Sequence, residues 1–154
     1  MDATQQTKLE ALSGKSLTQA ELAMANDRQD NALAESLSVE RTHLVSAMHT
    51  ELMVLDLLGP VAGGAFLDGL DSFVSAGYGA CPAPLQPYFS AIKRSVAALY
   101  KEPGLDFGSA NTQGVLDLLA QSGIVAAGSS AVLKSIAVHP NPITVDQVSE
   151  VLNS

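Results

Sequence analysis

The stretch Leu85–Lys101, which reads LQPYFSAIKRSVAALYK, decides the fold class. Its large apolar residues recur three or four positions apart, and this spacing places them on one face of an α-helix. The Pro103-Gly104 pair that follows ends such a helix, because proline lacks a backbone donor and glycine frees the chain. We therefore predict an amphipathic helix whose buried face consists of Leu85, Phe89, Ile92, Val96, Leu99 and Tyr100.

The same helical period extends to both sides of this stretch. The chain has no tryptophan and few aromatic residues, so leucine, valine, alanine and isoleucine must fill the core. That composition suits packed helices better than a β-sandwich. The predicted fold class is all-α, a compact bundle of about six short helices. The five further helical segments are expected at about residues 50–58, 61–75, 109–121, 129–138 and 144–153. In the last of these, Thr144 and Gln147 have the spacing of a second capping box, and Val148, Val151 and Leu152 form an apolar stripe.

The first 42 residues differ from the rest, since they are rich in glutamine, asparagine and charge. Thr18 and Glu21 have the spacing of a capping box, which predicts a short helix. A second helix is predicted from about Asp27 to Leu37. Because such helices are marginal alone, we interpret residues 1–42 as a polar, partly helical N-terminal arm and residues 43–154 as a helical body. An extended connector, with room for one short strand, is expected where the two meet.

Five apolar side chains of the arm are candidates for partner binding. Apolar side chains on a sparse helix fit a hydrophobic groove of another protein. They fit equally well against the protein's own body, and the sequence leaves both alternatives open. The candidate residues are Leu9, Leu12, Leu17, Leu22 and Met24.

The charge balance disfavours two classes of partner. The chain has 16 acidic residues against 8 basic ones, its net charge is −8, and only Lys93 and Arg94 are adjacent basic residues. A protein that binds nucleic acid needs a clustered basic face to displace counterions. We therefore expect no nucleic-acid partner, and the same reasoning disfavours an anionic membrane surface.

Hydropathy and cysteine use indicate where the protein is made. The most apolar stretch, residues 52–67, is interrupted by charge, proline and glycine, which predicts two buried helix segments and no membrane span. Cys81 is the single cysteine, so no intrachain disulfide is possible. Because no signal peptide is evident either, we expect synthesis in the cytoplasm.

Motifs for phosphate or metal binding are not evident. Residues 59–64, GPVAGG, have the glycine spacing of a phosphate-binding loop, but Ala65-Phe66 stand where lysine and serine or threonine must follow. A tight turn between helices is the better interpretation. The soft metal ligands have none of the usual ligand spacings; they are His43, His49, Cys81 and His139.

Acid–base and nucleophilic motifs are equally weak. Asp68 and Asp71 share a helix face and could act as an acid–base pair if burial separated their pKa values. They lie opposite the apolar stripe of Phe66, Leu70, Phe73 and Val74, so a solvated face is expected. No serine lies in a GxSxG or SxxK motif, and His139 at a helix end is placed to cap carbonyl groups. We predict a protein that is not an enzyme and needs no cofactor, while a triad assembled in space stays invisible to sequence.

The C-terminal half carries an ordered series of short helical segments. They are LDFG (105–108), VLDLL (115–119), SGIV (122–125), VLKSIA (132–137) and PNPITVDQV (140–148). Together with Ala62–Phe73, this series resembles small proteins encoded among the structural genes of tailed bacteriophages. The likeness extends from about Arg41 onward and contains no site motif, so no functional residue is carried over.

This resemblance implies a virion structural or assembly protein, associated with the tail, neck or connector, or with fibre attachment. Such a protein acts by binding other virion proteins and is present in several symmetric copies. Its implied location is the virion, after synthesis in the host cytoplasm. The alternative class is a small regulatory helical binding module, such as a chaperone or a host-factor binder.

Overall fold

The computed structural model describes every residue from Met1 to Ser154 and is mainly helical. Nine α-helices are present, where about six were predicted. All six helices expected after residue 50 occur. Of the three helices before residue 40, the second and third correspond to the two short helices predicted in the arm, and the first was not predicted. The helices are α1 (Ala3–Ser13), α2 (Gln19–Asn26), α3 (Asp30–Ser38), α4 (Glu51–Leu58), α5 (Pro60–Ala76), α6 (Phe89–Leu99), α7 (Ala110–Gln121), α8 (Ala127–Ser135) and α9 (Val145–Leu152).

Short strands and 3₁₀ turns complete the structure, and the all-α prediction did not include small sheets. Two 3₁₀ helices span Tyr78–Ala80 and Ala83–Tyr88. The strands are β1 (Thr42–Leu44), β2 (Met48–His49), β3 (Leu105–Asp106) and β4 (Val138–Pro140).

The chain forms two compact units. Unit 1 consists of Met1–His43 together with Pro140–Ser154, and unit 2 consists of Leu44–His139. The sequence-based division differs from this one, because it placed residues 140–154 in the body.

Unit 1 has an apolar core of its own, built from both ends of the chain. Helix α9 packs against α1 and α3, and α2 packs against α3. Burial of these apolar faces supplies the stability that such short helices lack alone. The first 43 residues are therefore part of a four-helix unit. Its buried apolar residues are Leu9, Ala25, Leu33, Ala34, Leu37, Ile143, Val148 and Leu152.

Helix α1 was not predicted because it has almost no apolar face, with Leu9 as its only fully buried large side chain. Its ends explain why it forms. The Asp2 carboxylate accepts a hydrogen bond from the Gln5 backbone N–H at 2.8 Å, and the Gln5 side-chain oxygen accepts one from the Asp2 N–H at 2.9 Å. This capping box satisfies two free donors. Gly14, with φ of 73°, ends the helix in the left-handed conformation.

The two capping boxes predicted from sequence are confirmed. Thr18 caps α2, and the Glu21 side chain returns to the Thr18 backbone. Thr144 caps α9 in the same way with Gln147. Each box fixes where its helix begins, so the chain direction at both starts is set locally.

Unit 2 holds the larger apolar core, to which α4 to α8 all contribute. Helices α4 and α5 form a hairpin, and α8 packs against both. In the stripe predicted on α5, Phe66, Leu70 and Phe73 are buried, and Val74 is partly buried against the same core. The fully enclosed residues of this core include Val54, Phe66, Leu70, Phe73, Leu85, Ile92, Leu99, Phe107, Leu116, Leu119 and Leu133.

The helix predicted over 85–101 is shorter in the structure. Helix α6 begins at Phe89, and Ala83–Tyr88 form a 3₁₀ helix that contains Pro87. Proline disfavours the α conformation of the residue before it, so the regular helix starts only after Pro87. Leu85 is buried as predicted, whereas Tyr100 is partly exposed and does not belong to the buried face.

A two-stranded antiparallel sheet forms within unit 2, where Met48 pairs with Asp106 and His49 pairs with Leu105. Glycines on both sides of β3 permit this approach. A Cβ atom on Gly104 would overlap the carbonyl of His49, and one on Gly108 would overlap the carbonyl of Val45. The φ of Gly104, 101°, also lies in a region that other residues rarely adopt.

Candidate functional site

The arm residues proposed to bind a partner lie in unit 1. Leu9 has no exposed surface, so its side chain belongs to the core of the chain itself, which corrects its assignment as a partner contact. Leu12, Leu17 and Met24 are partly buried and pack against the same core. Leu22 is partly buried as well. Most of these side chains therefore follow the second alternative, packing within the protein.

Hydrogen bonds from the first 43 residues hold the C-terminal segment in unit 1. The Gln5 side-chain amide donates to the Leu152 carbonyl at 3.0 Å. The Ser149 hydroxyl donates to the Asp30 carboxylate at 2.6 Å. The Ser38 hydroxyl accepts from the Ile143 N–H at 2.8 Å. These hydrogen bonds hold α9 and the segment before it against α1 and α3, two helices that contribute few large apolar side chains to the core.

Glu21 is a buried carboxylate of unit 1. Its oxygens accept hydrogen bonds from the Thr18 N–H at 2.8 Å, the Ser36 hydroxyl at 2.8 Å and the Lys15 ammonium at 3.0 Å. Burial opposes ionisation, but the bonds from Thr18, Lys15 and Ser36 outweigh it and lower the pKa of Glu21 to about 2. Because these partners lie in α3 and in the segment that leads into α2, we interpret Glu21 as a structural link between α2, α3 and the loop before α2.

The structure does not bring the candidate metal ligands together. No group of three or more histidine, cysteine, aspartate or glutamate side chains is placed to hold a metal ion. Cys81 is buried, and its thiol faces the Pro82 carbonyl at 3.6 Å. His139 lies 3.3 Å from the Ile136 carbonyl, the carbonyl-capping position expected from sequence. His49 stands edge-on to Phe107, with ring centroids 6.0 Å apart.

The aspartates of α5 are exposed, as predicted for a solvated face. The Tyr100 hydroxyl donates to the carboxylate of Asp71 at 2.9 Å. Burial, followed by this hydrogen bond, raises the pKa of Tyr100 well above its usual value. Tyr100 therefore acts as a stable donor that connects the end of α6 to α5.

The GPVAGG segment is the turn between α4 and α5, as interpreted from sequence. Gly59, with φ of 82°, ends α4, and Pro60 opens α5. A Cβ atom on Gly63 would lie 3.0 Å from the Cα of Leu55, so the two helix backbones approach closely there. Within the core of unit 2, a small cavity of about 20 Å³ is lined almost wholly by apolar side chains. That volume holds about one water molecule, not a ligand.

The feature that sequence analysis missed is the outer face of α4. Val54 on the inner face is fully buried, whereas Leu52 is 67% exposed, and Met53 and Leu57 are also exposed. Val61, at the start of α5, is 85% exposed. Helix α4, ELMVLDLL, is apolar on nearly all sides, which is the one signal the sequence offered. A helix of that kind predicts burial on every side, and here only one side is covered.

We call Leu52, Met53, Leu57 and Val61, with the exposed Asp56 among them, the α4 face. On this helix, residues 52 and 56 and residues 53 and 57 are four positions apart, and residues 53 and 56 are three apart. Such spacings make the four residues neighbours along one broad side of the helix. Scattered exposed apolar residues are common, but several on one helix side mark an interaction surface. The α4 face is therefore suited to binding another protein surface by contact.

Comparisons with known proteins identified no relative of this chain. No family model matches the chain, and no curated protein or solved structure shows significant similarity to it. None of the helices combines the length and apolar character that a membrane crossing requires.

Proposed function

We propose that this protein is a structural or assembly component of a tailed-bacteriophage virion, acting by binding neighbouring virion proteins. The observation that carries the proposal is the α4 face, where large apolar side chains stay exposed on a helix whose inner side is firmly buried. When a partner surface covers exposed apolar groups, the free energy of the system falls. The resemblance to phage structural proteins, which extends from about Arg41 onward, supports the class of partner proposed.

The proposed location is the virion, associated with the tail or the connector, after synthesis in the host cytoplasm. The proposed mode of action needs no cofactor, because shape and apolar contact suffice for assembly. Several copies would bind in a symmetric arrangement, as is usual for virion components built from one small chain.

Mass spectrometry of purified particles tests this proposal. Phage particles from cells that make this protein should contain it at a constant ratio to the major tail or head protein after repeated gradient purification. Its absence from such particles, with the protein abundant in the lysate, would refute the virion role. That result would favour the alternative, a regulatory helical binding module that stays in the host cell.

A further inference from the structure

The α4 face is acidic as well as apolar, and this combination restricts what can cover it. Asp56 lies among the exposed apolar side chains, and Glu51 begins the same helix. Neither carboxylate forms an ion pair, since the ion pairs of the structure are Lys15–Glu21, Arg28–Asp30 and Lys134–Asp117. A surface that complements this face needs small apolar side chains beside a positively charged residue.

The outer face of α6 has these properties. Helix α6, FSAIKRSVAAL, contains no acidic residue, and Lys93 and Arg94 are exposed on it. Ala91 and Ala97 lie one turn before and one turn after Arg94 and are exposed too. Small side chains next to a long cation allow another helix to approach closely. We call Ala91, Lys93, Arg94 and Ala97 the α6 face.

The cations of the α6 face are unpaired within the chain. Neither Lys93 nor Arg94 takes part in an ion pair, although acidic residues outnumber basic ones two to one. Both faces belong to unit 2 and both are exposed in the same folded chain. They therefore cannot cover each other within one molecule, and a contact between them requires two copies.

We propose that the α4 face of one copy binds the α6 face of a second copy of this chain. In this contact Leu52 and Met53 lie against the alanines of α6, and Arg94 approaches Asp56. This inference deepens the assembly role proposed above and rests on it for its biological meaning. The pairing of unlike faces joins copies head to tail, which builds rings or filaments instead of closed dimers.

A contact between two identical α4 faces is less favourable. It would bring Asp56 of one copy towards Asp56 of the other without a cation between them. Two identical α6 faces would oppose Lys93 and Arg94 in the same way. Charge therefore favours the head-to-tail arrangement over a two-fold dimer.

Sedimentation velocity of the full chain over a concentration series provides the first test. We expect the average mass to rise from 15.9 kDa past the dimer with increasing concentration and to fall when salt is added. A protein that stays monomeric up to about 1 mM, or whose mass stops at the dimer, would overturn the proposal.

A charge swap gives the sharper test. Asp56→Arg and Arg94→Glu should each weaken association by about tenfold or more, because each places like charges at the contact. The double variant should restore association, and so should a mixture of the two single variants, in which one contact is swapped and the other is wild type. If neither the double variant nor the mixture associates more strongly than the single variants, the pairing of these two faces is wrong.

Apolar substitutions on the same surface provide a matched comparison. Leu52→Ser and Val61→Ser should reduce association without lowering the melting temperature, since both side chains are largely exposed. Val132→Ser, on the exposed side of α8, is the control and should leave association unchanged. Equal effects of all three substitutions would contradict a role specific to the α4 face.

These tests are independent of the particle analysis. A protein that is present in particles but monomeric when purified refutes the head-to-tail contact and leaves the virion role standing. A protein that associates through these faces but is absent from particles refutes the virion role and leaves the head-to-tail contact standing.

Discussion

Replacing Glu21 by glutamine removes the charge from the best-connected buried carboxylate of the chain and keeps its shape. The carboxylate accepts from Lys15, Thr18 and Ser36, and only 2% of its side chain is exposed. Glutamine can accept through one oxygen only, and its amide group then faces donors. We expect the variant to fold with a weakened link between α2 and α3.

The magnitude follows from the pKa. A fall from the usual 4.5 to about 2 means that the folded state favours the ionised form of Glu21. One pKa unit corresponds to about 1.4 kcal/mol, so this fall sets an upper bound of about 3 to 4 kcal/mol. Solvent screens Lys15, whose side chain is 41% exposed. We therefore expect the free energy of unfolding at pH 7 to fall by about 2 kcal/mol.

The pH dependence has a defined sign. Because the folded-state pKa of Glu21 is lowered, its contribution is complete above pH 4.5 and is lost as the pH falls towards 2. Urea unfolding followed by far-ultraviolet circular dichroism measures the difference between wild type and Glu21→Gln across this range. Amide hydrogen exchange in α2 and α3 locates the effect in unit 1.

Glu35→Gln is the matched control, because Glu35 is exposed on α3 and forms no ion pair. It should unfold like the wild type at every pH. Two results would refute the reasoning on Glu21: equal stability of Glu21→Gln and wild type at pH 7, or a stability difference that stays constant between pH 4.5 and pH 2.

Three further substitutions test other contacts, two of them paired with a control substitution, and the free energy of unfolding is the measurement. Leu9→Ala should lower the free energy of unfolding by about 2 to 4 kcal/mol because the side chain is fully buried. Leu22→Ala should lower it by less than about 1 kcal/mol. Equal losses would contradict the core described for unit 1. Gly63→Ala should lose about 1 kcal/mol or more, since the added methyl meets the α4 backbone at 3.0 Å. Gly64→Ala has open space and should gain about 0.5 kcal/mol, so a gain at both positions would argue against close packing. The Asp106 carboxylate accepts hydrogen bonds from the backbone N–H groups of Ala47 at 2.8 Å and Gly108 at 2.9 Å. Asp106→Asn should lower the free energy of unfolding by about 1 to 2 kcal/mol because it weakens both bonds. A variant as stable as wild type would show that they contribute little.

Local signals predicted much of the fold. The capping boxes at Thr18 and Thr144 need only four consecutive residues, so both were visible in the sequence and both are present. Helix α1 was missed because its single fully buried large residue, Leu9, gives no period to detect. Its capping box begins with Asp2, so the signal existed without an apolar run behind it.

Long-range placement could not be predicted in the same way. The stripe on α9 shows that Val148 and Leu152 are buried, but not which apolar residues cover them, and the structure gives α1 and α3 as the neighbours. The α4 face is the opposite case. Its apolar residues predicted burial on all sides, and only packing decides that Val54 is covered while Leu52 is not.

The composition of unit 1 from both chain ends has a consequence for synthesis. On the ribosome, Met1–His43 emerge before Val148 and Leu152, which complete their core. Unit 2 is continuous in sequence and can fold as soon as His139 has left the exit tunnel. Met1–His43 are therefore expected to gain protection from protease only after unit 2 has folded, although they are made before it.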